Sequence, residues 1–177
     1  MESENKYHQP ISFLEKIDEL LELFKDFNPS LYNKTDPGYE WLEEDDEKCI
    51  VFVNPFNGEN IEIDIGDMSE ATLYFSGQHS HYDEYQGDYE DLVDRINSIL
   101  HNESGAAIIK DADENWHGSC FIEKDELTKK PTEIFEFVFK QKEFADHLNE
   151  SGYHVIIDFW NPEYSKEIIV PPIKKKD

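Results

Sequence analysis

Arginine is almost absent from this 177-residue chain: of its 16 basic residues only Arg95 is not lysine, so the forked guanidinium clamps that grip phosphate are missing. Acidic residues number 41, which leaves a formal net charge of −25. Phosphate affinity rests on clustered cations, and their scarcity here excludes direct nucleic-acid binding. The eight glycines are scattered singly, and neither a P-loop nor a dinucleotide fingerprint can be written from them, so no nucleotide cofactor is expected. There is no Gly-x-Ser-x-Gly elbow. The two cysteines, Cys49 and Cys120, stand inside apolar segments rather than beside a helix start or a cation, which reads as reduced structural thiols ahead of a disulfide or a reactive nucleophile. No run approaches the roughly 20 apolar residues that span a bilayer, and the first ten residues carry no apolar stretch behind a basic head. The expected location is the cytoplasm, with no membrane partner.

Large apolar side chains are nonetheless present. Twelve Phe, nine Tyr and three Trp supply buriable surface that a disordered acidic chain lacks. The length suits a single domain over residues 1–170, and the ending Pro171-Pro172-Ile173-Lys174-Lys175-Lys176-Asp177 reads as a loose basic tail.

Periodicity divides the chain into elements. Ile11, Leu14, Ile17, Leu21 and Phe24 recur at helical spacing and predict a helix over 11–27, ended by Asn28-Pro29. Residues 30–47 form a polar connection. Strands are predicted at 49–53 and 61–65 around a turn at Asn57-Gly58, with a third at 71–75. The stretch from Gly77 to Gly87 is polar and is read as a loop. Asp88 then caps a second helix carrying Tyr89, Leu92, Val93, Ile96, Ile99 and Leu100. Short strands at 106–109 and 119–122 flank the turn 111–118. Residues 134–139 alternate Phe135, Phe137 and Phe139, which favours a strand over a buried helix. A short helix over 141–150 and strands at 153–160 and 167–170 complete the pattern. The fold class that follows is α+β: a mainly antiparallel sheet with about three helices, in a single domain.

Two segments invite metal chemistry. In an extended backbone His79, His81 and Asp83 point to one side, as a transition-metal site requires, with Glu84, His117 or His154 as further candidate ligands. The spacing is similar to the His-x-His-x-Asp-His signature of metallo-β-lactamase-fold hydrolases, but Glu84 stands where that signature has its last His, and the chain is short for that fold. The plainer reading is a polar loop in which the histidines cap a helix or meet a partner. Asp111-x-Asp113-x-Asn115 imitates the first half of an EF-hand, but Trp116 replaces the required Gly and Ile122 the bidentate Glu. A hairpin turn with Asx-type hydrogen bonds accounts for those residues better.

The remaining signal is carboxylates interleaved with aromatics. One loop holds Tyr39, Trp41, Glu43, Glu44, Asp45, Asp46 and Glu47, and another holds Tyr82, Asp83, Glu84, Tyr85, Asp88, Tyr89 and Glu90. Aromatic rings supply contact area at low entropy cost, while carboxylates steer a basic protein toward them. The competing reading is two solvated loops with their rings folded inward.

In general type the chain resembles the immunity proteins of bacterial polymorphic toxin systems: small, acidic, α+β, and without a catalytic signature. The likeness covers the whole chain as a type and carries no motif, so no residue role comes with it. It implies a cytoplasmic inhibitor, not an enzyme and without a cofactor, that neutralises a basic toxin of nuclease type by covering its substrate surface. The alternatives are a small metal-dependent enzyme or metal-binding protein using His79 and His81, and a DNA-mimic inhibitor.

Overall fold

The computed structural model describes residues 7–56, 59–66 and 70–173. The predicted turn at Asn57-Gly58 and the lysines of the tail fall outside the described residues. The α+β class and the predominance of antiparallel sheet are as expected, with the strands divided between two sheets. The chain forms two compact units, Met1–Ser98 and Ile99–Asp177.

In the first unit, α1 (Phe13–Leu23) buries Phe13, Ile17 and Leu20, one face of a 3.6-residue repeat. A 3₁₀ turn over Lys25–Phe27 follows, and Asn28 ends it in the left-handed region at φ 51°, a conformation that Asn tolerates better than most residues. Five strands then form an antiparallel meander in the order β1-β2-β3-β4-β5: Ser30–Asn33, Lys48–Phe52, Ile61–Ile65, Ala71–Phe75 and Gln78–Tyr82. One face is apolar, because the pleat stacks Ile50, Ile63 and Leu73 in one row and Phe52, Ile61 and Phe75 in the next. Phe24, just past α1, meets Phe52 edge-on at 5.7 Å. The other face carries the row Tyr32, Cys49, Asp64, Thr72 and His81. Helix α2 (Gln86–Leu100) begins two residues before the expected cap, so Asp88 lies in its first turn.

Two expectations are corrected here. The polar connection after Pro29 contains β1, and the segment read as a loop around His79 and His81 is β5. Neither strand has the apolar alternation that signals one. Both are edge strands, held by backbone pairing to a neighbour that does.

In the second unit, β6 (Ser104–Asp111), β7 (Trp116–Glu123), β8 (Tyr153–Asp158) and β9 (Lys166–Val170) form an antiparallel sheet in the order β7-β6-β8-β9. Ala107, Ile109, Ile122, Val155 and Ile157 meet Phe135, Val138 and Leu148 in one core. The expected strand over 134–139 is instead two helical turns, α3 (Pro131–Ile134) and α4 (Glu136–Phe139), followed by α5 (Lys142–Ser151). Pro131 suits a first helical turn, and Phe135 N–H donates to Pro131 O. Phe135 and Val138, three apart, are buried while Phe137 is 48% exposed, which is a helical and not an alternating pattern. The start of the expected tail is tied down: Ile173 N–H donates to Asn149 O at 2.8 Å. Gly152 ends α5 at φ 81°, where a Cβ would fall 2.9 Å from Pro172. Among the described residues no helix is long and apolar enough to cross a membrane.

Candidate functional site

Strand register decides where the acidic loops emerge. Asn33 pairs with Lys48, Lys48 with Ile65, Ile65 with Ala71, and Ala71 with Tyr82, so these five residues form one row across the end of the sheet. The 34–47 loop leaves this row from β1, Gly66 and Glu70 belong to the β3–β4 connection, and residues 83–85 leave it from β5. Both acidic–aromatic segments therefore project from the same end, on outer strands about 19 Å apart at four inter-strand spacings. The connections at the opposite end, 53–60 and 76–77, contain a single acid, Glu59, and expose Val53 and Phe56.

The 34–47 loop is a built structure. Glu47 folds the acidic run back on itself, its Oε2 accepting the N–H groups of Glu43 and Glu44. Lys34 Nζ donates to Glu43 O and Lys48 Nζ to Asp45 O and Glu47 O, so the two nearest cations bind backbone carbonyls. Glu43, Glu44, Asp45 and Asp46 are exposed. Tyr32 and Tyr39 stack in parallel with centroids 4.1 Å apart, and Tyr39 leans on Trp41, a residue 51% exposed. Burial pushes the Tyr39 hydroxyl up to about 12, so it stays protonated. Trp41, Leu42, Glu43, Glu47, Asp64, Ile65 and Gly66 surround a recess of about 240 Å³. Asp64 faces Cys49 across the strands, its Oδ1 is buried without a hydrogen-bond partner, and burial pushes its carboxyl up to about 6.

The second segment is more mixed. Asp83, Glu84 and Tyr85 are exposed, and Asp88 and Glu90 are half-buried on the first turns of α2. Burial raises Asp88 above the usual carboxylate range, and the charges of Asp83 and Asp91 add to it. Tyr82 is corrected as a contact residue: it is buried, and its hydroxyl bonds to Arg95, the chain's one guanidinium. Tyr89 is likewise 3% exposed.

The predicted metal ligands do not converge. His79 and His81 share a face of β5 with ring centroids 5.2 Å apart, but His81 Nδ1 shares a hydrogen bond with Thr72 Oγ1, and Asp83 lies beyond the strand. Among the described residues the ligand atoms that do gather are those of Asp111, His117 and His147, within 4.8 Å of one another in the second unit. Of these, His117 was a candidate ligand from the sequence, and Asp111 stood in the EF-hand-like run for which a hairpin turn was the preferred reading. Asp111 is 2% exposed, and its Oδ1 accepts the N–H groups of Asp113 and Asn115 in the expected Asx turn. The two imidazoles, then Asn115, hold its carboxyl far below the usual range. His147 could not be anticipated, because it lies 36 residues further along on a different element.

No protein-family model, curated protein or solved structure matches this chain.

Proposed function

We propose that the chain is an acidic protein-binding inhibitor, an immunity protein that neutralises a basic, nuclease-type toxin domain in the cytoplasm. The observation that carries this reading is the shared row at the end of the five-stranded sheet, from which both acidic–aromatic loops project. Carboxylates at 43–46 and 83–84 steer a cationic surface toward that end, and Trp41, at the exposed tip of an aromatic stack, supplies the anchor that holds it. The lysines and arginines that such a toxin uses to hold its substrate backbone are the groups these carboxylates suit. Inhibition then comes from charge and bulk and needs no reaction at this chain's own residues.

The test is co-expression with the product of the gene immediately upstream, followed by purification of the complex. The expected results are restored growth and an affinity that falls at least about tenfold between low and high salt. Trp41→Ala should weaken the complex about a hundredfold, a typical anchor loss, while Val53→Ser at the opposite end leaves it unchanged. A host that grows equally well without this chain, or a complex indifferent to salt, overturns the reading.

A further inference from the structure

The second unit carries a site that the acidic end of the first neither contains nor requires. β6 ends at Asp111, and the Asx turn sends the chain back into β7. The register there is irregular: Ile109 faces Gly118 but Lys110 faces Trp116, so His117 is the extra residue of a bulge. A bulge re-aims a side chain, and here His117 Nε2 lies 3.0 Å from Asp111 Oδ2. From the other side α5 brings His147, whose Nε2 is also 3.0 Å from Oδ2, and Phe144, three residues earlier, whose ring meets the His117 imidazole edge-on at 5.8 Å.

Both imidazoles turn Nε2 toward one carboxylate oxygen, Asp111 Oδ2, and the three ligand atoms stand within 4.8 Å of one another, close enough for one ion to meet all three. We propose that Asp111, His117 and His147 bind one divalent transition-metal ion, zinc foremost, through one carboxylate oxygen and two imidazole nitrogens. Two nitrogens and one carboxylate oxygen are a ligand set that zinc takes with a further position left for water. Tetrahedral ligation at about 2.1 Å sets neighbouring ligand atoms about 3.4 Å apart, so the 3.0 Å between Oδ2 and each Nε2 has to widen by only a few tenths of an ångström to admit the ion. His147 is half exposed, which leaves that further position open to solvent. Asp111 Oδ1, held by two backbone N–H groups and by Asn115, fixes the carboxylate from behind, as outer-shell partners of metal ligands do.

The probe is zinc chloride, titrated into the full untagged chain after dialysis against chelator, with bound metal measured directly and cobalt(II) substituted for its visible spectrum. The expected results are one zinc per chain, a raised melting temperature and a cobalt band typical of low-coordinate N/O ligation. His147→Ala, at a half-exposed side chain, should abolish stoichiometric binding with an unchanged far-ultraviolet spectrum, and Asn115→Ala should weaken it about 10- to 100-fold. The double variant His79→Ala/His81→Ala should bind as the natural chain does. Absence of stoichiometric zinc, equal affinity in His147→Ala, or loss of zinc in the β5 double variant each overturns the proposal.

Discussion

Asp64 occupies β3 opposite Cys49, with one carboxyl oxygen buried and unpartnered and its carboxyl pushed up to about 6 from an ordinary 3.8. An acid whose folded pKa lies above its unfolded one costs stability once the unfolded state can ionise it. Stability is unaffected by it below about pH 4, falls as pH rises toward 6, and carries the full penalty above that. The shift corresponds to about 3 kcal/mol at most, and the side chain's partial exposure reduces this to about 1–2 kcal/mol. Asp64→Asn should therefore stabilise the protein by about 1–2 kcal/mol at pH 8 and by almost nothing at pH 4, as read by urea denaturation at both values. An equal gain at both would assign the effect to something other than ionisation. The sequence shows Asp64 only as a polar position in an alternating strand. Burial raises its carboxyl, with the charge of Glu62 in the same strand and then that of Glu47 adding to it, and Glu47 comes from a loop seventeen residues earlier that shares a recess with Asp64. The thiol opposite is the legible part, since Cys49 is buried and free, as its apolar flanks predict.

At the scale of elements, helices were more legible than edge strands. The apolar stripes of α1, α2 and α5 repeat every three or four residues and announce themselves, whereas β1 and β5 draw their conformation from pairing to β2 and β4. The segment 131–139 shows a different limit, because Phe135, Phe137 and Phe139 alternate perfectly and still form helical turns. Tertiary packing selects Phe135 and Val138 for the core and leaves Phe137 outside. Phe135→Ala should cost about 3–5 kcal/mol for a large core cavity, and Phe137→Ala, half-exposed and packed on Phe135, only about 1 kcal/mol. Chemical denaturation of the two variants separates the helical arrangement from a strand, in which both rings would share one face and cost alike.

For the molecule as a whole, a net charge of −25 on 177 residues means that folding gathers like charges. Screening relieves this repulsion, so the melting temperature of the isolated chain should rise by about 3–5 °C between about 10 and 300 mM sodium chloride. The proposed complex with a basic partner should respond in the opposite direction, since salt weakens attraction as it weakens repulsion. Differential scanning calorimetry of the free chain checks the first trend, and a flat profile would show that the carboxylates lie too far apart to repel. Composition, the cation shortage, the α+β class and the amphipathic helices were determined by the sequence itself, because each depends on residue totals or on periodicities within a dozen positions. Tertiary structure alone decided that the two acidic loops leave one end of a sheet, and that Asp111, His117 and His147 meet. The first rests on the register of four strand pairs, the second on a bulge and on a helix 36 residues away, and local periodicity encodes neither.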